Sequence, residues 1–212
     1  MEEDNKPDFS LILRNVGKLI TLTPDEEKYF TSLLKQKRVR KGELFQEAGE
    51  VCRTQAFVVS GCMRSYHIDE GGKEHILQFA PSDWWTGDMA SFVKGTPAML
   101  YNEALEDSVL LQIDRASMDQ IYERVPKFER FFRILFANAL IAQQRRMLGN
   151  LSLPAEERYA EFRKLYPSVD EHVAQKHIAS YLGMTPEFLS TVKKRVLERE
   201  RTTGKKPAAT GR

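Results

Sequence analysis

Thiols are scarce in this 212-residue chain. Cys52 and Cys62 are its two cysteines, and an iron–sulfur cluster held within one chain needs about four thiolates. No such cluster is expected, and the pair lacks metal-type spacing, so both read as small buried residues in strand-like surroundings. Histidine is almost as rare: His67, His75, His172 and His177 are scattered along the chain. No nucleophile sits in a recognisable motif, and paired carboxylates fall in helix caps and turns. An enzyme is therefore not expected, nor is a metal site. Long apolar runs are missing too, and the segment MEEDNKPDF at the start is acidic. Neither a secretion signal nor a membrane span is expected, which points to a cytoplasmic protein without a membrane partner.

The net charge of +2 conceals an asymmetry. From Thr185 onward there are eight Lys or Arg against three Glu, which leaves 24 basic and 27 acidic residues before it. A basic end on a mildly acidic body suits a polyanionic partner.

Residues 9–37 read as helical, with Thr23 as a cap and Pro24 at a first helical position. From Lys41 to Asp114 short apolar runs alternate with glycines, the texture of an antiparallel β-roll. Within it SYHIDEGGKEHILQF predicts a hairpin turning at Gly71-Gly72, which would set His67 opposite His75; no third metal ligand stands nearby. Further on, Trp84 to Ala90 admits two readings, a small anion-binding nest of backbone N–H groups at Gly87-Asp88 or a roll corner packed by Trp84, Trp85 and Phe92. Arg115 to Tyr122 reads as a short helix, and Pro126 opens a long one running to about Leu151. On the long helix Phe131, Leu135, Asn138, Ala142, Arg145 and Gly149 form a seam near the heptad period, the expected face of a parallel homodimer, while Phe128, Phe132 and Phe136 turn toward the roll. Pro154 to Pro167 bounds another helix, whose Tyr159, Phe162 and Leu165 should pack beneath the C-terminal helical corner.

The stretch QKHIASYLGMTPEFLSTVKKR, Gln175 to Arg195, has the pattern of a helix-turn-helix. Small Ala179 suits a helix crossing, and Gly183 suits a left-handed bend. Thr185 caps the second helix, with Pro186 at its first position. If that helix enters the major groove, Glu187 can accept from cytosine, Ser190 and Thr191 can bond bases or phosphates, and Lys193, Lys194 and Arg195 suit phosphate oxygens. No arginine stands on the leading face, so specificity should lean on Glu187 and on DNA shape.

The expected fold class is α+β: a sensor roll over 1–125, a dimerisation helix over 126–151, a helix-turn-helix domain over 152–201 and a disordered basic tail over 202–212. This order, with EALEDSVLLQI, AEERYAEF and QKHIASYLGMTPEFLS, resembles the Crp/Fnr family of bacterial transcription regulators, in particular its Bacteroidetes branch. The resemblance implies a homodimer on a pseudo-palindromic double-stranded operator, with the roll as an effector sensor, and it admits RNA polymerase as a further partner. It also places the effector at Trp85, Gly87, Asp88, Met89, Ala98 and Met99. Family members that bind cyclic nucleotides carry Gly-Glu at the first of these positions and Arg-Ser or Arg-Thr at the second. Gly87-Asp88 and Ala98-Met99 stand here instead, so cyclic AMP is not the expected effector. Thr191 replaces an arginine common in the recognition helix, and a basic tail replaces the family's β-hairpin wing. The other reading from a different class is a ligand-binding or interaction module whose C-terminal corner contacts protein.

Overall fold

The computed structural model describes residues 7–202, and the tail expected beyond Thr202 lies outside them. The chain divides into two compact units, one ending at Ile141 and the other beginning at Ala142.

In the first unit, α1 (Ser10–Gly17) and α2 (Pro24–Ser32) precede the sheets. Thr23 and Glu26 form a reciprocal capping box at the start of α2, satisfying two amide donors that the first turn leaves open. Helix ends earlier than the apolar spacing suggested: Lys35–Val39 is strand β1. Its polar side chains hide the strand period, and the strand exists because it pairs antiparallel with β8 (Ser108–Asp114) along its whole length.

Between them run β2 (Leu44–Gln46), β3 (Thr54–Ser60), β4 (Cys62–Ile68), β5 (Glu74–Pro81), β6 (Trp85–Thr86), the short helix α3 (Met89–Lys94) and β7 (Tyr101–Ala104). Two four-stranded antiparallel sheets result, ordered β1-β8-β3-β6 and β2-β7-β4-β5. The space between them is filled by Val39, Ala56, Val58, Met63, Ala80, Ala104 and Leu110. The β4–β5 hairpin turns where expected, with Gly72 taking the left-handed conformation and His67 paired with His75 in register. Their rings go elsewhere: His67 Nδ1 lies 3.1 Å from the Met99 carbonyl, and His75 Nε2 lies 2.7 Å from Asp69. Among the described residues no three His, Cys, Asp or Glu come together to hold a metal. Cys52 and Cys62 are buried; burial pushes the Cys62 thiol up to about 12 and raises Cys52 as well.

A second core packs α1, α2 and α4 (Arg115–Arg124) with the start of the long helix α5 (Lys127–Ser152) against Phe57, Phe92 and Leu111. Phe131 is fully buried there, 5.0 Å from the Phe132 ring and 6.5 Å from Trp85. Leu135 packs on the same core. Phe131 is therefore not available to a dimer seam, contrary to the sequence expectation, while Leu135 stays partly exposed.

The second unit holds the rest of α5 and then α6 (Ala155–Leu165), α7 (Pro167–His172), α8 (Gln175–Leu182) and α9 (Pro186–Thr202). Tyr159 and Phe162 are buried beneath the last two helices as expected, but Leu165 is exposed and Tyr166 takes its place. Phe162, Tyr166 and Tyr181 form an aromatic cluster with ring centroids 5.4 to 5.6 Å apart. Gly149 is also buried, where an added Cβ would meet Leu153 at 3.5 Å. It therefore faces its own subunit and also leaves the expected seam.

Candidate DNA interface and sensor site

Local chemistry fixes the α8–α9 corner. Gly183 ends α8 in the left-handed conformation, at φ 65°, where a Cβ would be strained. The Met184 amide returns to the Ala179 carbonyl at 2.9 Å. Thr185 Oγ1 then accepts from the Phe188 amide at 3.2 Å, opening α9. Ala179, Ile178, Leu182, Leu189 and Val192 are buried between the helices. The apolar side of α9 is thus committed to the corner, and Pro186, Glu187, Thr191, Lys194 and Arg195 stand in solvent.

Ser190 is half-buried and donates to Gln175 at the start of α8. Arg195 is exposed but pairs with Glu156 at 3.2 Å. Lys193 does not join the outward face. Its side chain is 16 % exposed and pairs with Asp170 at 2.9 Å, and its ammonium lies over the Tyr159 ring. Helical spacing set Lys193 at the edge of both faces, and the carboxylate on α7 turns it inward. Sequence reasoning passed over Phe188, which is 43 % exposed in the first turn of α9. An apolar residue out of phase with Leu189 and Val192 was the available signal.

In the roll, the Asp88 side chain is bonded within the chain. Asp88 is buried and caps α3, accepting from the Ser91 amide at 2.9 Å. Its other oxygen accepts from the Met99 and Leu100 amides at 2.9 and 3.2 Å. Of the resemblance-derived residues, Met99 meets the Asp88 carboxylate through its amide. Trp85 is part of the aromatic core, 5.5 Å from both Phe57 and Phe132. Met89 packs on that core, Ala98 is buried, and Met99 points its side chain outward. Gly87 lies against Gln55, whose amide oxygen would sit 2.6 Å from an added Cβ.

The first unit thus carries a two-sheet roll and the second a capped helix-turn-helix. Residues 36–125 match the cyclic nucleotide-binding domain family. The regulatory protein HlyX of Actinobacillus pleuropneumoniae is 26 % identical over 184 residues, covering 80 % of this chain and 75 % of the relative. The fumarate and nitrate reduction regulatory protein of Vibrio cholerae is 27 % identical over 187 residues, covering 80 % and 72 %. FixK2 from Bradyrhizobium japonicum shares the fold at a TM-score of 0.66 and 22 % identity, over 84 % of this chain and 89 % of that one. The similarity to these regulatory proteins runs over 80 % of the chain, in line with the resemblance noted in the sequence.

Proposed function

We propose that the protein is a cytoplasmic homodimer that reads a pseudo-palindromic operator with α9 and does not respond to cyclic AMP. The outward face of α9 carries this reading: Glu187, Thr191 and Lys194 project from a helix whose opposite side is locked into the corner. In this reading Glu187 and Thr191 meet base edges, and Lys194 meets phosphate. RNA polymerase is the natural further partner of such a regulator.

The dimer seam belongs on a different face of α5 from the one the sequence suggested. Leu140, Met147 and Leu151 are 60, 64 and 79 % exposed, and with Ala137 and Gln144 they recur at alternating steps of three and four. That is a heptad stripe. It lies about 200° around the helix from Asn138, Ala142 and Arg145, two residues away at about 100° each. A second copy burying this stripe removes Leu140, Met147 and Leu151 from water.

Cyclic AMP lacks a cationic partner for its phosphate because Ala98-Met99 supplies no guanidinium, and Asp88 takes the Met99 and Leu100 amides for itself. Each missing charge-assisted bond costs about 1.5–3 kcal/mol. Calorimetry should show no saturable binding, and micromolar affinity would overturn this part of the reading.

Selection of bound duplexes from a randomised pool tests the whole. An enriched inverted repeat with half-site centres about one helical turn, or a multiple of it, apart is the expected result. No enrichment, together with salt-independent binding to random duplex, would instead favour a corner that contacts protein.

A further inference from the structure

The roll interior carries a layer of polar side chains that neither the DNA interface nor the Asp88 cap uses. Gln78, Ser65 and Asn102 are register partners across β5, β4 and β7, so the three lie side by side on one face of their sheet. That face looks inward, because Met63 and Ala104, two residues from Ser65 and Asn102, belong to the core between the sheets. From the opposite sheet Thr86 reaches across: both Thr86 Oγ1 and Ser65 Oγ donate to Asn102 Oδ1, at 2.8 and 2.5 Å. Gln78 Nε2 donates to the Trp85 carbonyl at 3.0 Å.

Asn102 is 0 % exposed, and among the described residues its Nδ2 has no hydrogen-bond partner. A buried amide left with two open donor protons is a costly arrangement in an apolar core. Turning the amide over does not remove the deficit. The nitrogen would then donate to the two hydroxyls, and their own protons would lose the Asn102 oxygen they now share.

The surroundings restrict what can answer these donors. Arg64, the buried cation of this sheet, precedes Ser65 and so lies on the other face, held by Glu74 and by Glu103 at 2.7 Å. Asp88 follows Thr86 by two residues and adds a carboxylate. An anion brought into this layer would lose its hydration without meeting a cation.

We infer that the roll interior binds a small uncharged molecule that offers a hydrogen-bond acceptor, such as a carbonyl oxygen, to Asn102 Nδ2, on the side of the amide away from the Ser65 and Thr86 hydroxyls. The inference rests on the roll being a sensor and names the chemistry of what it senses. Asn102 is already tied through Thr86 to β6, the strand that leads directly into Gly87-Asp88 and α3, so occupation would be felt there.

A matched pair of probes tests it. Acetamide and acetate have nearly the same shape, and only the first is uncharged. In nitrogen-15 spectra of the full-length protein, the Asn102 side-chain signals are identified by their loss in Asn102→Leu. Acetamide should shift them saturably in the millimolar range, at least about tenfold more tightly than acetate, a difference of about 1.4 kcal/mol. If Asn102→Leu does not fold, Thr86→Val, which removes one side of the layer, should weaken acetamide severalfold. Acetate binding as well as acetamide, shifts that persist unchanged in Thr86→Val, or cross-relaxation of the Asn102 protons with a trapped water and no response to either probe would each overturn the inference. Operator selection does not read these signals, so its failure and this one are separable.

Discussion

At the start of α5, Phe128, Phe131 and Phe132 are buried, whereas further along the same helix Leu140, Met147 and Leu151 stand in solvent. Both stretches repeat apolar residues at three- and four-residue steps. The difference lies in what each helical face meets: the first has the roll's own core against it, and the second has no partner among the described residues that removes it from water. Periodicity announces an apolar face, and the neighbouring elements decide whether that face belongs to the subunit or to a second copy. Phe131→Ala should therefore act within one chain, costing about 3–5 kcal/mol of unfolding free energy by denaturant titration while leaving dimer affinity little changed. Leu140→Ala should do the reverse. Burying one leucine contributes about 1.5–3 kcal/mol, and twofold symmetry repeats the loss, so sedimentation should show a dimer weakened by at least about 3 kcal/mol with the helical signal intact. A Leu140→Ala variant that unfolds but remains dimeric would erase the distinction between the two halves.

The same division between inward and outward explains which parts of the molecule could be read from the sequence. The α8–α9 corner was legible because its determinants are local: a glycine at the left-handed bend, a threonine whose hydroxyl caps three residues on, and a proline that needs no amide partner. The β4–β5 hairpin was legible for a similar reason, although only Gly72 of the glycine pair takes positive φ. Long-range pairing was not. KQKRV looks nothing like an alternating strand until β8 pairs with it, and Phe131 sits on a helix whose apolar residues span too much of the circumference to rank. The polar layer of Ser65, Gln78 and Asn102 emerges only from strand register, since the three are far apart in sequence. Asp88 was placed at the site by resemblance, but its own amide partners, Met99 and Leu100, become visible only once β7 is folded back.

Adjacent lysines on α9 sharpen the comparison at the proposed DNA interface. Lys194 faces solvent, whereas Lys193 is held by Asp170, which also accepts from Tyr159 at 2.8 Å. Lys194→Ala should lower affinity for specific and random duplex alike and flatten the salt dependence by about one unit per protomer. Lys193→Ala should leave that slope unchanged and lower the unfolding free energy by about 1 kcal/mol or more, as a half-buried ion pair loses one partner. Equal salt slopes for the two variants would mean that Lys193 leaves Asp170 on binding DNA and that the inward assignment does not describe the complex.

The smallest effect concerns an inward-bonded charge at the roll's edge. Asp114 caps α4, accepting from the Ser117 amide at 2.8 Å, with Lys35 of β1 at 3.2 Å. The Ser117 amide, helped by Lys35, holds its carboxyl below the ordinary value of 3.8. A carboxyl depressed in the folded state binds its proton less readily there than in the unfolded chain. Its stabilisation is accordingly complete above the unfolded value and is lost as the pH falls through the lower, folded one. Asp114→Ala should cost about 1 kcal/mol at neutral pH, the usual effect of removing such a cap. The gap between the variant and the parent protein should narrow below about pH 4, where the parent's carboxyl also becomes neutral. Asp114→Asn separates the two contributions. An asparagine oxygen still accepts from Ser117 but offers no charge to Lys35, so this variant should recover most of the neutral-pH loss while showing a flatter acid limb. A gap that stayed constant from pH 7 to pH 3 would show that the cap works through its shape as a hydrogen-bond acceptor and that the carboxylate charge adds nothing.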